Sequence, residues 1–422
     1  MSILITSAKI VDNTSPHHLK VRNVLISKGK IEYIGTDLPK SLNVVNGKGC
    51  LLSPGLCDMQ ATYADPGLEH KEDLISGSNT ALAGGFTDVA LMPNTEPCIQ
   101  KKNDIKYLTK NNKDSLVQIH PLGAISIDLK GEALTDMLDL ADAGAVAFSD
   151  GLNPIWNTDL LLKSLQYVHN IDGLIIDRPE DKWLSLFGTM NEGVNSALLG
   201  MKGIPSLAEE LAVTRDIEIL NYTGGRLHLS NISTEKSVKL IQAAKKKGLK
   251  ITCDVAAHQL IFNDSSVQGF DSNYKVSPPF RSPSDIKALL KGLQDGTIDV
   301  IVSSHQPHDQ ECKQLEFDMA DFGIINQQTI LPMLSNVSDV LGWDLLLDKL
   351  TNSPRNILKL DINTIAEGQN ANLLLYNPKE KWQYREENNV SKSRNSPLLG
   401  HELTGKVKAV FNNSQFTLFD TN

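Results

Sequence analysis

The sequence lacks the features of a secreted, membrane-bound or nucleic-acid-binding protein. The opening residues, MSILITSAKIVDN, have no basic start followed by an apolar stretch, and no apolar run approaches the ~20 residues that span a bilayer. A formal net charge of −9 provides no basic footprint for nucleic acid. We therefore expect a cytoplasmic protein that binds neither a membrane nor nucleic acid.

Paired cysteines are also absent. Five cysteines are scattered along the chain without any C-x-x-C pair, at Cys50, Cys57, Cys98, Cys253 and Cys312. This pattern predicts reduced thiols, as is usual in the cytosol, and no zinc site built from cysteines. With 41% hydrophobic and 22% charged residues, the composition is that of a globular protein with a substantial core.

Short apolar runs alternate with helical patterns through the middle of the chain, which indicates repeated βα units. The strand candidates are residues 56–61, 87–92, 117–122, 145–149, 173–177, 226–231, 250–255 and 299–303. The clearest helices are residues 206–222, 234–247 and 283–293. Eight such units predict a (β/α)₈ barrel of the TIM type.

The two ends of the chain differ from the middle, because both contain short strands separated by glycine turns and little helix. The simplest interpretation is one small β-sandwich domain composed of both chain ends, residues 1–52 with 365–422. The barrel, residues 53–364, is then inserted between them. The predicted fold class is α/β.

A series of short motifs follows this predicted organisation. They are PG at 54–55, DPG at 65–67, GGFT at 84–87, MPNT at 92–95, GAVAFSD at 144–150, MNEG at 190–193, PPFR at 278–281, AEG at 366–368 and SKSRNSP at 391–397. In this order, over nearly the whole chain, they resemble dihydroorotase of the larger bacterial type, in the amidohydrolase superfamily. The resemblance implies the barrel, a homodimer, and zinc-dependent hydrolysis of a cyclic amide in pyrimidine biosynthesis.

The resemblance also implies a set of metal ligands and a general base that this chain does not have. The positions of the missing histidines and acids are Gln60, Thr62, Gly151, Arg178, Asn231 and Ser304. Neutral amides and hydroxyls cannot balance a divalent cation, and Arg178 adds a permanent positive charge. We therefore expect a catalytically degenerate member, a pseudoenzyme with no bound metal or other cofactor.

Other positions that contact substrate in the family are partly retained. Asn94, Arg281 and His308 match such positions, whereas Ala64 and Ser277 replace a substrate-binding arginine and a motif asparagine. With these two altered, packing and loop hydrogen bonds are the favoured role for Asn94 and Arg281. A hydrogen-bonded loop role is likewise favoured over metal binding for His308 and its neighbour His305.

Two interpretations remain open around the barrel mouth. Asp150 either pairs with Arg178, whose guanidinium would then substitute for the charge of the metal, or is a solvated loop acid. A serine nucleophile at Ser304 is disfavoured, because the adjacent His305 would point to the opposite face of an extended strand. His228 is expected to face the barrel interior, and His258 to have a structural role.

These observations support three functional hypotheses. The first is a non-catalytic dihydroorotase homologue that serves as a structural partner, possibly of aspartate carbamoyltransferase, as inactive members of the family do. The second is an active dihydroorotase or cyclic-amide hydrolase with an unorthodox site. The third is a ligand-binding sensor that keeps the pocket without the reaction.

Overall fold

The computed structural model describes residues 2–41, 43–110, 112 and 115–419 of the chain. Residues 1, 42 and 420–422 of the predicted β domain lie outside the described residues. The strands are β1 Ser2–Ile10, β2 Val21–Ser27, β3 Lys30–Gly35, β4 Asn43–Asn46, β5 Leu51–Pro54, β6 Leu56–Ala61, β7 Phe86–Leu91, β8 Gln118–Gly123, β9 Ala147–Ser149, β10 Leu174–Asp177, β11 Met190–Asn191, β12 Gly203–Ile204, β13 Arg226–Leu229, β14 Ile251–Ala256, β15 Val300–Val302, β16 Leu373–Gln383, β17 Glu402–Asn412 and β18 Gln415–Leu418.

The α-helices are α1 Leu74–Gly84, α2 Lys102–Thr109, α3 Met137–Ala143, α4 Thr158–Tyr167, α5 Lys182–Ser185, α6 Val194–Leu199, α7 Ser206–Thr223, α8 Glu235–Lys246, α9 Pro283–Gln294, α10 Gln310–Lys313, α11 Ile330–Leu334, α12 Ser338–Leu341, α13 Trp343–Leu350 and α14 Asn352–Leu358. Within the described ranges, none of these helices is both long and apolar enough to cross a bilayer.

Eight parallel strands form the barrel, in the order β6, β7, β8, β9, β10, β13, β14, β15. A parallel bridge between Ala61 and His305 brings the two edges together, and Thr62 N donates to His305 O over 2.9 Å. Strands buried on both faces need continuous apolar runs, which is why the Val- and Ile-rich segments adopt this position. The predicted α/β fold class with a TIM-like barrel is confirmed.

The predicted barrel strands and the three clearest helices are found within two residues of their expected ends. The largest differences reflect local backbone geometry. The sixth predicted strand, residues 226–231, ends at Leu229 because Asn231 adopts a left-handed conformation with φ 56°. Helix α8 begins where Thr234 Oγ1 accepts a hydrogen bond from Ser237 N and so caps the helix.

Strands from both ends of the chain form a second sheet, in the order β18, β17, β16, β5, β1, β2, β3, with β4 paired to β1. Its apolar face is a separate core that includes Ile5, Ile31, Leu52 and Leu375, all at or near zero exposure. The domain boundaries proposed from the sequence, at 52/53 and 364/365, stay a prediction.

A charged cluster ties the starts of barrel strands β7 and β8 to helix α14. Asp88 Oδ2 accepts from Arg355 Nη2 at 2.5 Å, and Asp88 Oδ1 lies 2.8 Å from His120 Nε2. Burial alone would raise the pKa of Asp88, but Arg355 and His120 outweigh it and hold that pKa well below its ordinary value. This end of the barrel, opposite its mouth, is therefore held by a fully paired carboxylate.

Candidate functional site

The six positions predicted to have lost metal ligands or the base lie at the carboxyl ends of barrel strands. Gln60 is the second-to-last residue of strand β6, and Thr62 comes just after that strand. The other four positions follow β9, β10, β13 and β15 and are Gly151, Arg178, Asn231 and Ser304. Because the carboxyl ends of parallel strands meet at one end of a barrel, the structure places all six at its mouth.

A buried hydrogen-bond network lies beneath this mouth. Ser230 Oγ lies 3.0 Å from both Gln60 Oε1 and Asp254 Oδ2. Asp254 also accepts from Asn231 N at 2.7 Å and lies 2.9 Å from His228 Nε2, so His228 belongs to the barrel interior. Sequence reasoning missed Ser230 and Asp254. For Asp254 a signal existed, since a carboxylate inside an apolar strand requires buried partners.

Two residues of the mouth keep a strained backbone. Asn231 has φ 56° and Ser304 has φ 51°, and the Asn231 Nδ2 donates to Ser304 Oγ over 3.3 Å. Left-handed conformations outside glycine concentrate at functional sites, where the surrounding fold enforces them. Ser304 therefore contacts Asn231 and not His305, whose Nδ1 accepts from Asn326 N at 3.0 Å. A Ser304–His305 nucleophilic pair is not formed.

Of the two interpretations left open for Asp150, an ion pair with Arg178 is wrong. Asp150 Oδ1 accepts from Ile125 N and Ser126 N at 2.9 and 2.8 Å, and its Oδ2 accepts from Ser126 Oγ. Arg178 Nη2 instead donates to Glu180 Oε2 over 3.1 Å. The alternative of a solvated loop acid is also wrong, because Asp150 is 1% exposed. Burial raises the pKa of Asp150 to about 6, although the three donors act in the opposite direction.

Gly151 occupies a position that leaves no room for an acidic side chain. It has φ +63°, and a Cβ built there would lie 1.8 Å from Asn94 Oδ1. That same oxygen accepts from Leu152 N at 3.0 Å, and Asn94 Nδ2 lies 3.4 Å from Asp150 O. The loop after β9 is thus closed around Asn94, which has the loop hydrogen bonds favoured for it from the sequence.

A cavity of about 690 Å³ opens above the mouth. Its lining includes Arg178 and Glu180 from the loop after β10, Ser277, and His308 and Asp321 from the loop after β15. Ser277 Oγ is 3.4 Å from Glu180 Oε2, so the Arg178–Glu180 pair is anchored in the cavity wall. A space of this size is enough for a small metabolite.

Of the retained family positions, only His308 lines this cavity. Arg281 is 2% exposed and is held by protein groups: Nε donates to Ser233 Oγ at 3.0 Å, and Nη1 donates to Asn191 Oδ1 and Ile204 O, both at 2.9 Å. These contacts match the packing role favoured for Arg281. His258 is buried beside Phe280, and burial lowers its pKa to about 3, so its ring is neutral.

The donor set at the mouth does not fit a zinc ion. Zinc in proteins takes thiolate, imidazole and carboxylate ligands. The side chains at the six positions offer two amides, two hydroxyls and a guanidinium, with glycine at the sixth. Three carboxylates near these positions, Asp150, Glu180 and Asp254, accept hydrogen bonds from protein donors.

Comparison with protein families and curated proteins gives a consistent result. A family model described as "Dihydro-orotase-like" matches residues 49–237. A dihydroorotase from Geotalea daltonii is 39% identical over 410 residues, which cover 96% of each chain. A dihydroorotase from Carboxydothermus hydrogenoformans is 40% identical over 410 residues, covering 96% of this chain and 95% of the relative.

Solved structures show the same architecture at lower identity. An L-hydantoinase (dihydropyrimidinase) from Arthrobacter aurescens superposes with a TM-score of 0.85 at 21% identity, covering 99% of this chain and 96% of the other. A dihydropyrimidinase from Brevibacillus agri gives a TM-score of 0.82 at 18% identity, covering 99% and 95%. At such identities the likeness extends to the fold alone.

Proposed function

The chain belongs to the dihydroorotase family, and we propose that it is a member without metal-dependent hydrolase activity that serves pyrimidine biosynthesis as a non-catalytic partner. One observation carries this proposal: the mouth of the barrel offers amides, hydroxyls and a guanidinium where the reaction requires imidazoles and carboxylates.

Both charge and donor strength disfavour a zinc ion at the mouth. A zinc ion must lower the pKa of a bound water to ~7 before that water can attack an amide, and it needs anionic or imidazole ligands to stay bound. Neutral amide and hydroxyl oxygens supply neither. Arg178 is paired with Glu180, so its charge is partly compensated, and the missing ligands are the stronger part of the argument.

The partner role is proposed from family membership combined with the replaced catalytic residues. We propose aspartate carbamoyltransferase as the partner and a homodimer as the state of the chain itself. Co-purification of a tagged chain with its native transferase, followed by sedimentation, tests both points. A monomer that never co-sediments with the transferase would contradict them.

Activity is tested by assaying hydrolysis of dihydroorotate, and the reverse cyclisation, with and without added zinc. We expect no turnover above that of the buffer in either direction. A zinc-dependent rate that disappears in a Gln60→Ala variant would overturn the proposal. A rate unchanged by Gln60→Ala would indicate a contaminating enzyme, because Gln60 is one of the six residues at the mouth where a zinc ion would have to bind.

Restoring the site provides a sharper test. We expect no activity from any single change among Gln60→His, Thr62→His, Arg178→His, Asn231→His and Ser304→Asp, because catalytic groups act as a unit. Gly151→Asp will also destabilise the protein, since its Cβ meets Asn94 Oδ1 at 1.8 Å on a backbone with positive φ. Recovery of zinc binding by Arg178→His alone would show that the remaining donors suffice.

A sensor that binds a small molecule in the cavity is the second candidate, and the 690 Å³ space lined by Arg178 and His308 favours it. Calorimetric titration with dihydroorotate and carbamoyl aspartate separates the two candidates. Micromolar binding that is lost in Arg178→Met would support the sensor over the structural partner. An active cyclic-amide hydrolase with an unorthodox site is the remaining alternative, and the activity assay above tests it.

A further inference from the structure

The loop that follows β15 folds back on itself at the edge of the cavity and carries three potential metal ligands. Within the described part of the chain, one group of three such residues has its ligand atoms within 4.8 Å of one another: His308, Cys312 and Asp321. None of the three is among the six degenerate positions of the mouth. This rim cluster, as we call these three residues, is held by the 3.1 Å bond from His308 N to Asn395 Oδ1 and by Asp321 N donating to Cys312 O at 2.9 Å.

The hydrogen bond made by His308 fixes the tautomer of its ring. Its Nε2 lies 2.8 Å from the carbonyl oxygen of Phe322. A carbonyl oxygen only accepts, so Nε2 carries the proton and donates. In the neutral ring, Nδ1 is then an unprotonated nitrogen with its lone pair directed away from Phe322. Metal-binding histidines commonly have this arrangement, in which one ring nitrogen donates to a carbonyl and the other is the ligand.

The Nδ1 atom of His308 is buried, and it has no hydrogen-bond partner among the described residues. The side chain is 8% exposed, and Nδ1 lies 3.4 Å from Asp321 Oδ2, a carboxylate oxygen. No hydrogen bond joins Nδ1 to this oxygen across that distance. A lone pair facing a carboxylate oxygen across 3.4 Å is unfavourable unless a cation lies between them.

We propose that His308 Nδ1, Cys312 Sγ and an Asp321 carboxylate oxygen form a binding site for a zinc-like divalent cation on the rim of the cavity. Nitrogen, sulfur and oxygen ligands together select borderline ions such as Zn²⁺ or Co²⁺. Three protein ligands leave a fourth position for water or for a group of a molecule in the cavity, which His308 also lines.

The charges around the rim cluster allow such a site. A thiolate and a carboxylate together neutralise a dication. Lys71, Lys275 and Lys313 lie near the cluster. The ammonium groups of Lys275 and Lys313 are held by backbone carbonyls: Lys275 Nζ donates to Asp318 O at 2.9 Å and Ala320 O at 2.6 Å, and Lys313 Nζ donates to Asp321 O at 2.7 Å and Gly323 O at 3.1 Å. Burial raises the pKa of Cys312 to about 11, so metal binding must displace the thiol proton, as it does at other thiolate sites.

The test is titration of the full-length, chelator-treated protein with Co²⁺, because a thiolate ligand gives a near-ultraviolet charge-transfer band that oxygen ligands do not give. We expect one equivalent of Co²⁺ with this band, displaced by Zn²⁺. Cys312→Ser will abolish the band. Asp321→Asn will keep the band but weaken affinity by more than the ~10–100-fold that loss of an outer-shell partner causes.

Matched controls lie close by. Cys98→Ser removes a thiol that is not part of the rim cluster, and Glu311→Gln neutralises a carboxylate in the same loop that is not one of its ligands. Both should bind Co²⁺ like the parent chain, and circular dichroism should show that every variant is folded.

Failure to bind Co²⁺, or binding unchanged by Cys312→Ser, would overturn the rim site. Binding that survives Cys312→Ser and is lost in Gln60→Ala would place the ion at the barrel mouth instead, and would contradict the proposed function as well. Absence of binding in the parent chain would refute the rim site alone.

Discussion

The two ends of the barrel treat buried charge in different ways. At the starts of β7 and β8, Asp88 is paired with Arg355 at 2.5 Å and with His120 at 2.8 Å. At the mouth, the polar side chains include buried atoms without partners in the described residues, namely Gln60 Nε2, Arg178 Nε and Asn231 Oδ1. One end of the barrel thus has a buried carboxylate with all its charged partners, and the other end has buried polar atoms that lack hydrogen-bond partners.

The difference in pairing between the two ends of the barrel matches a division between an end that stabilises the fold and an end that binds ligands. Buried polar atoms without partners cost free energy, whereas the completed pairing of Asp88 stabilises the fold. In barrels of this type the carboxyl ends of strands carry chemistry and the amino ends carry stability. The mouth is therefore the end of the barrel where a ligand is expected to bind, although its side chains do not suit a metal.

The largest expected effect concerns the completed end. Asp88→Asn leaves Arg355 buried without its counter-charge, and breaking a buried pair in this way costs about 3–5 kcal/mol of the free energy of unfolding. Urea denaturation measures the loss. Lys163→Met, which removes a solvent-exposed pair with Asp159, should change stability by no more than about 0.5 kcal/mol. A loss at Asp88 as small as that of this control would mean that the two ends do not differ as described.

A pH titration distinguishes the two ends by the sign of the effect. The pKa of Asp150, at the mouth, is raised in the folded state to about 6 from an ordinary 3.8, so folding favours its protonated form. The contribution of Asp150 to the free energy of unfolding is therefore complete below pH ~4 and is lost as the pH rises through 6, a change of about 3 kcal/mol. The lowered pKa of Asp88 acts oppositely, since its stabilisation is lost as the pH falls.

Asp150→Asn isolates this effect, because an amide oxygen still accepts from Ile125 N and Ser126 N but does not titrate. Chemical unfolding of the parent chain and the variant between pH 4 and 7 should show the parent losing stability relative to the variant as the pH rises. Parallel profiles would show that Asp150 keeps an ordinary pKa.

The smallest expected effect concerns an unpaired atom of the mouth. Gln60→Leu removes the partnerless Nε2, while Ser230 Oγ can still donate to Asp254. We expect a change in the free energy of unfolding within about 1 kcal/mol, in either direction, because an unsatisfied amide is replaced by an apolar group of similar size. A loss comparable to that of Asp88→Asn would show that Gln60 has a partner, such as an ordered water, that stabilises it.

The sequence predicted the barrel well because apolar runs and helix caps are local signals. Residues 56–61 form β6 as expected, and the helix predicted over 283–293 is found as α9, where Ser282 caps the first turn. The six degenerate positions came from the resemblance to dihydroorotases, and the structure places them at or just after the ends of barrel strands.

Contacts within the site were harder to predict because they depend on loops from distant strands. The Arg178–Asp150 pair was wrong since Ser126, from the preceding βα unit, already occupies the carboxylate. The crowding of Asn94 against Gly151 spans 57 positions of sequence and has no local signature. Likewise, no pattern relates Cys312 and Asp321 to His308, because the loop's return path decides which residues meet.

The left-handed backbone conformations of Asn231 and Ser304 restrict which side chains these two positions can accept. Bulky β-branched residues tolerate such a bend poorly, whereas asparagine, aspartate and histidine accept it more readily. The two positions are therefore biased toward side chains that can also coordinate ions. A variant with histidine at position 231 and aspartate at position 304 would therefore keep the backbone turns that aim these two side chains, and only the side chains would have to change.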